Sequence, residues 1–242
     1  MKLFAKSVLA VSIAAMGVGQ AFAYEAGDMI IRGGFASVQP DSSSDNALPG
    51  SYLAAAGLPE ANTVEVDDGA ALGISLTYML DNNLGVEILA ATPFSHDIDG
   101  ADSLSGVDVG ETKHLPPTVS FQYHIGLNEN VSIYCGVGIN YTTFFSEDTT
   151  SELNDTLSAV LTAATGSNVT VTSSELKLKD SMGLALSAGV DFNIDEHWGI
   201  NAGVYYADID TEAKVAVNGT TATTFDVEID PMVYRLNVVY KL

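Results

Sequence analysis

Four histidines and several groups of carboxylates are the residues of this chain that could support catalysis or metal binding. Ser120 and His124 share one face of an alternating segment, but four residues along a strand span about 13 Å, too far for a direct hydrogen bond. His96 and His114 flank an acidic segment without a nucleophile-elbow, an HExxH or a cysteine–histidine metal motif. We therefore predict no catalytic residue and a protein that is not an enzyme. His114 and His124 are expected to be interfacial or lumenal polar residues.

Acidic residues dominate the charged positions: 31 Asp and Glu against 9 Lys and Arg give a formal net charge of −22. Proteins bind duplex nucleic acid by neutralising its phosphates with Lys and Arg, so we predict no nucleic-acid partner. Two loop clusters offer hard oxygen ligands for Ca²⁺ but lack the spacing and glycine of an EF-hand. We predict that they are solvated acidic loops, with no metal and no cofactor. The clusters are Glu65, Asp67 and Asp68, and Asp97, Asp99 and Asp102.

The N-terminus has the pattern of an export signal. Lys2 and Lys6 form a basic start, residues 8–19 are apolar, and Ala21 and Ala23 place small side chains at the −3 and −1 positions of a cleavage site. This pattern predicts a cleaved signal peptide over residues 1–23, passage through the periplasm, and a single domain over residues 24–242. Cys135 is the only cysteine, so a disulfide within the chain is excluded.

Apolar side chains alternate with small or polar ones in eight segments, which predicts eight β-strands. These segments are residues 29–36, 71–78, 86–90, 119–124, 133–141, 184–192, 198–206 and 232–242. Aromatic residues recur near the segment ends, where rings suit the two interfaces of a membrane. They include Tyr78, Tyr123, Tyr141, Phe192, Trp198, Tyr206 and Tyr240.

The connections between these segments alternate in length. Residues 81–83, 126–130 and 193–196 are short, whereas 39–67, 94–113, 146–175 and 211–224 are long and mostly polar, with a possible helix over 153–165. In lipid, every backbone polar group needs a partner inside the protein, and a closed sheet supplies one. We predict an all-β fold: an eight-stranded antiparallel transmembrane β-barrel in the outer membrane of a Gram-negative bacterium, with short periplasmic turns and long extracellular loops. A soluble all-β domain is the alternative.

Five charged residues fall on the face opposite the apolar rows. Charges at membrane depth are expected to face the lumen and to pair there, so we predict a structural salt-bridge network rather than an ion pathway. Its members are Arg32, Glu87, Lys179, Asp191 and Arg235.

Several short sequences resemble the OmpW family of small outer-membrane β-barrel proteins, in the same order along the chain. They are LGVE at 84–87, AATPF at 90–94, HLPP at 114–117, GVGINYTTFF at 136–145, LKDS at 178–181 and DIDT at 208–211. The chain departs from the family at Leu242, where Phe is usual, and at Met182, where Trp is frequent. The resemblance implies a narrow, rather apolar interior and an association with the passage of small hydrophobic compounds.

Geometry agrees with a narrow interior, because eight strands enclose only enough space for side chains or one small ligand. We predict passive passage of small hydrophobic solutes, with possible lateral exit. The expected lining is Leu89, Phe144 and Met182 on the inward row, with Phe94 and Leu115 at the outer mouth. Outer-membrane lipid, lipopolysaccharide and the barrel-assembly machinery are the other expected partners. The alternative is a sealed interaction barrel whose acidic loops bind partners, cations or lipopolysaccharide.

Overall fold

The computed structural model describes residues 24–242, and the predicted signal peptide over residues 1–23 lies outside the described residues. None of the helices within residues 24–242 is long and apolar enough to cross a membrane. In chain order the elements are β1 Met29–Gln39, β2 Ser43–Ser44, α1 Gly50–Ala55, β3 Val64–Val66, β4 Gly69–Met79, β5 Leu84–Ala91, β6 Phe94–Gly100, a 3₁₀ helix Asp102–Leu104, β7 Asp108–Leu115, β8 Thr118–Gly126, β9 Val131–Thr149, α2 Ser151–Thr165, β10 Ser174–Leu178, β11 Ser181–Asn193, β12 Trp198–Ala207, β13 Asp210–Val217, β14 Thr220–Glu228 and β15 Met232–Lys241.

Eight of these strands close into an antiparallel barrel. Around the wall their order is β11, β12, β15, β1, β4, β5, β8 and β9, and β9 pairs with β11 to complete the circle. Closure leaves no free sheet edge in the barrel wall. These eight strands are the eight predicted from the alternation of apolar residues, and the predicted barrel is confirmed.

The outer face of the barrel is apolar. Leu72, Ile139 and Leu236 are each at least 60% exposed, although they are large hydrophobic residues. The inner face is mostly polar, as Thr77 and Gln122 illustrate, because both are fully buried. A continuous apolar band on the outside of a closed sheet matches a lipid environment and is too large for the surface of a soluble protein.

The three short turns share one hydrogen-bond arrangement between a side chain and the backbone. Asp81, Asn128 and Asp195 each place a side-chain oxygen where it accepts from the backbone N–H groups two and three residues later, at 2.7–2.9 Å. Such turns satisfy the backbone locally and hold neighbouring strands in register. The four long connections all lie at the opposite end of the barrel.

The long connections fold into a structured cap, which comprises residues 40–68, 92–117, 143–180 and 208–231. In it, β9 extends beyond the barrel and pairs with β7, followed by β6 and β3, while β10, β13, β14 and β2 form a second sheet. The predicted helix is present as α2, and it packs Leu153, Leu157 and Val160 into an apolar core shared with both sheets. The cap therefore has its own small hydrophobic core above the barrel.

Candidate functional site

A buried ion pair lies at the centre of the lumen on the short-turn side. The Arg32 guanidinium donates to both carboxylate oxygens of Asp191, from Nε at 3.0 Å and from Nη2 at 2.6 Å. Its Nη1 donates to Thr77 at 2.8 Å and lies 3.9 Å from the Glu87 carboxylate. The side chains of Arg32, Asp191 and Glu87 are completely buried, so this pair is not screened by bulk water.

Hydrogen bonds extend this pair across the lumen. Asp191 also accepts from Tyr24 Oη at 2.9 Å and from Asn201 Nδ2 at 2.7 Å. Tyr205 Oη donates to Glu87 at 3.1 Å, and Arg235 Nη1 lies at hydrogen-bond distance from the same hydroxyl, at 3.5 Å. We call the set of Arg32, Glu87, Asp191, Tyr205, Arg235 and their hydrogen-bonded neighbours the plug.

The Tyr134 ring extends into the plug, because Gly189 next to it has no side chain. The Tyr134 ring stacks against the Arg32 guanidinium, whose Cζ is 5.0 Å from the ring centroid. A Cβ on Gly189 would lie 2.7 Å from Tyr134 Cε1, so a larger residue there would displace the ring. Two arginines and two carboxylates balance formally, and their buried side chains occupy the lumen on the short-turn side.

Four of the five residues predicted for the charge network are thus brought together, and the fifth is not. Lys179 lies in the segment between β10 and β11, its side chain is 67% exposed, and it pairs with Glu212 at 2.7 Å. The prediction for Lys179 was wrong because the barrel wall begins two residues later, so this residue belongs to the cap.

Two apolar cavities are stacked above the plug. The upper chamber lies inside the cap, has a volume of about 60 Å³ and is lined by Leu104, Val109, Phe144, Leu157 and Phe225 among others. The lower chamber lies in the barrel mouth, has a volume of about 50 Å³ and is lined by Leu89, Ala91, Phe94, Tyr205 and Arg235 among others. Val38, His114 and Ile209 border both chambers and form the partition between them.

The predicted lining residues divide into two groups. Leu89 and Phe94 line the lower chamber, and Phe144 lines the upper one. Met182 is 74% exposed on the outer face, because its neighbour Ser181 points inward and is buried. Leu115 is half-buried and lines neither chamber, because it follows His114, whose side chain points into the chambers. The placement of Met182 and Leu115 in the passage was wrong.

Stacked aromatic rings separate the two chambers. The His96 and His114 rings are 4.9 Å apart and nearly parallel, and Phe94 stacks on His114 at 5.3 Å. Burial lowers the pKa of His114 to about 3, assisted by the neighbouring His96 ring. Burial also lowers the pKa of His96, against the opposing effects of its hydrogen bond to the Asp67 carbonyl and of nearby carboxylates. Both rings are therefore neutral at ordinary pH.

The importance of His96 was missed from the sequence. The length and polarity of residues 94–113 predict a loop at His96, although Phe94, His96 and Ile98 alternate in the same way as the residues of the barrel strands. That alternation was the signal that places all three side chains on one face of a hairpin, pointing into the cap.

The barrel wall is interrupted beside the lower chamber. The last pair between β5 and β8 is Leu89 with Thr118, and the first pair between β6 and β7 is Phe94 with His114. Residues 90–93 and 115–117 therefore face each other without ladder pairing, and we call this interruption the side gap. Three of its seven residues, Pro93, Pro116 and Pro117, have no backbone N–H to donate.

Residues of the side gap border the lower chamber and also reach the outer surface. Ala90 is exposed on the outside of the barrel and also lines the lower chamber, as does Pro116. Asn140 Nδ2 donates to the Pro116 carbonyl at 3.1 Å and to Thr118 Oγ1 at 3.0 Å, which fixes one edge of the gap. The sequence shows these prolines within AATPF and HLPP, but it does not show that the two segments face each other across the wall.

A family model described as the OmpW family matches residues 25–242. The chain belongs to the OmpW family. Outer membrane protein W of Vibrio cholerae is 40% identical over 232 residues, which cover 95% of each chain. The crystal structure of the outer membrane protein OprG from Pseudomonas aeruginosa matches with 37% identity and a TM-score of 0.74, covering 90% of this chain and 97% of that one.

A more distant structure shares the fold of this OmpW-family barrel. The solid-state NMR structure of outer membrane protein AlkL in lipid bilayers is 20% identical, with a TM-score of 0.63 and coverage of 94% of each chain. The protein is accordingly an outer-membrane β-barrel that sits in the lipid bilayer. Its short turns are periplasmic, and its cap is extracellular.

Proposed function

We propose that this barrel gives small hydrophobic molecules a passive route from the outside of the cell into the outer membrane. A solute enters the upper chamber, passes the stacked histidines into the lower chamber, and leaves sideways through the side gap. The observation that carries the proposal is that two neighbouring apolar cavities share one partition, and that the lower of them adjoins an interruption of the wall. No cofactor and no catalytic step is part of this route.

Lateral exit follows from the position of the plug. A solute that continued along the barrel axis would have to displace Arg32, Asp191 and Glu87 from one another, and separating a buried ion pair costs several kcal/mol. Departure through the side gap exposes the solute to lipid, where an apolar molecule is more stable than in water. In this proposal, the plug therefore blocks movement of the solute along the barrel axis into the periplasm.

The cap has to open slightly for each passage. A cavity of about 150 Å³ holds a benzene molecule, and the upper chamber is smaller, with about 60 Å³. Its walls are contributed by α2, the β6–β7 hairpin and the second sheet, so small relative movements of these elements enlarge it. We expect this movement, rather than diffusion in the chambers, to limit the rate.

Uptake into cells that lack their own version of this barrel tests the route. A small alkane-like probe should enter faster when the protein is present in the outer-membrane fraction, whereas a sugar of similar size should not. Ala91 belongs to the side gap and lines the lower chamber, so Ala91→Trp places a large ring there and should abolish the acceleration. Ile88→Trp is the matched control, because Ile88 lies on the same strand but is 56% exposed on the lipid face.

The second candidate is a sealed barrel whose acidic extracellular loops bind partners, cations or lipopolysaccharide. The plug favours it, because the lumen is closed on the periplasmic side. If neither probe enters faster in cells that carry the wild-type protein, passage is excluded for such probes and this candidate is favoured. Contacts with lipopolysaccharide and with the barrel-assembly machinery are proposed from the location of the protein alone.

A further inference from the structure

Two buried polar atoms in the apolar upper chamber have no hydrogen-bond partner within residues 24–242. They are Nε2 of His96 and Oγ1 of Thr112, and both residues are at most 3% exposed and line the chamber. The two residues are directly opposite each other on β6 and β7, so their side chains emerge side by side on one face of the hairpin. Buried polar groups normally have partners, and leaving one without a partner costs free energy.

The hydrogen-bonding role of His96 is fixed by its other nitrogen. Nδ1 lies 2.6 Å from the Asp67 carbonyl oxygen, and a carbonyl oxygen only accepts, so Nδ1 carries the proton. In the neutral ring, Nε2 then presents a lone pair and acts as an acceptor. Beside it, the Thr112 hydroxyl can both donate and accept. The pair is therefore complementary to a group that donates one hydrogen bond and accepts another.

The His96 ring is held in this orientation from two sides. It stacks on His114, with centroids 4.9 Å apart. On the other side it packs against the backbone of Gly69, where a Cβ would lie 2.8 Å from Nε2. Nε2 therefore keeps its direction without a ligand, which reduces the entropy that binding would cost.

We propose that His96 and Thr112 recognise a neutral hydroxyl group, and that the preferred solutes are small apolar molecules with one such group, alcohols or phenols. The hydroxyl donates to His96 Nε2 and accepts from Thr112 Oγ1, while the apolar part occupies the rest of the chamber. A pure hydrocarbon leaves both atoms without partners. This inference rests on the proposed passage and names the class of solute that uses it.

Anions are disfavoured at the same place. The carboxylates of Asp67, Asp68 and Asp97 are close enough to His96 to favour its protonated form. Among the described residues 24–242, no lysine or arginine lines the upper chamber. A carboxylate would also meet the Nε2 lone pair with no proton to donate. The expected order of affinity is therefore phenol, then the hydrocarbon of the same shape, then the benzoate.

The test compares isosteric probes on the purified barrel in lipid nanodiscs. Binding of 4-fluorophenol, 4-fluorotoluene and 4-fluorobenzoate is followed by ¹⁹F NMR, with empty nanodiscs as the reference for partition into lipid. The wild-type protein should bind 4-fluorophenol about tenfold more tightly than 4-fluorotoluene. His96→Phe keeps a stacked ring and Thr112→Val keeps the shape, and each should reduce the preference to about twofold or less without weakening 4-fluorotoluene binding.

Two control variants separate recognition from general disturbance. Thr223→Val removes a hydroxyl from another wall of the upper chamber, on β14, and His197→Phe removes an exposed histidine on a periplasmic turn. Both should keep the tenfold preference. Equal binding of phenol and toluene by the wild-type protein would overturn the hydroxyl inference and leave the proposed passage intact. Binding of neither probe, with no acceleration of apolar uptake, would overturn both.

Discussion

The ion pair between Arg32 and Asp191 is predicted to be a major source of stability that depends on both partners. Asp191→Asn leaves the buried Arg32 guanidinium with Glu87 as its nearest carboxylate, at 3.9 Å. The new amide has only one acceptor oxygen for the two guanidinium donors, and its NH₂ group cannot accept from the second. Removing one partner of a buried pair costs about 3–5 kcal/mol, because the other charge remains desolvated. Arg32→Met should cost a similar amount, since it leaves Asp191 with only the neutral donors Tyr24 and Asn201.

The double variant Arg32→Met/Asp191→Asn should be less destabilised than the sum of the two single variants. Its plug retains one arginine, Arg235, and one carboxylate, Glu87, so the formal charges balance again. We expect a coupling free energy of about 2 kcal/mol or more. The measurement is equilibrium unfolding by denaturant in lipid vesicles, with the four proteins compared under one condition.

The exposed pair between Lys179 and Glu212 supplies the control. Their atoms are also close, at 2.7 Å, but the side chains are 67% and 37% exposed, so Lys179→Met should cost about 0.5 kcal/mol or less. A cost below about 1 kcal/mol for Asp191→Asn, or additive effects in the double variant, would refute the reasoning. Either result would mean that water reaches the plug and screens its charges.

Three further outcomes are expected in the cap. Because burial lowers the pKa of His114 to about 3 from 6.5, the unfolded hairpin takes up a proton first as the pH falls, and cap stability should decrease from pH 6.5 downward. The contribution of His114 to this loss should reach about 2 kcal/mol at pH 5 and be detected by hydrogen exchange over residues 94–115. The loss should become smaller in His114→Phe, in which the buried His96 still contributes. Gly69→Ala should displace the His96 ring, cost about 1–3 kcal/mol and reduce the preference for phenol in the ¹⁹F NMR assay. Leu157→Ala should cost about 2–5 kcal/mol, measured by the same hydrogen exchange in α2, and speed the uptake of the apolar probe, because Leu157 is buried at the wall of the upper chamber.

The barrel was predictable because lipid constrains each strand separately. Every outward row has to be apolar over the thickness of the membrane, so a strand such as β4 reveals its two faces in Leu72, Ile74, Leu76 and Tyr78 without reference to its neighbours. The same constraint distinguished the short turns from the long connections. Inward placement of Arg32, Glu87, Asp191 and Arg235 followed from the alternation.

The predictions failed where the chain leaves the wall. Lys179 and Met182 stand on either side of the start of β11, and Leu115 ends β7 next to the prolines of the side gap. At such points the alternation of inward and outward side chains begins again. The direction of a side chain therefore cannot be inferred from the neighbouring strand. The cap could not be predicted either, because its pairs join distant segments, such as Ser44 with Val227 and Leu176 with Val215.

The plug and the side gap together determine the direction of the proposed route. In a closed eight-stranded wall, all backbone N–H and C=O groups are hydrogen-bonded between strands. A lateral opening therefore needs a place where the inter-strand hydrogen bonds are missing but no backbone N–H is exposed to lipid without a partner. Proline meets both conditions, because it has no N–H, and Pro93, Pro116 and Pro117 stand where the cap hairpin departs from the wall. The balanced charges of the plug close the axial route directly below. In the proposed route, a solute in the lower chamber therefore leaves through the side gap into the membrane, where neither a backbone hydrogen bond nor an ion pair has to break.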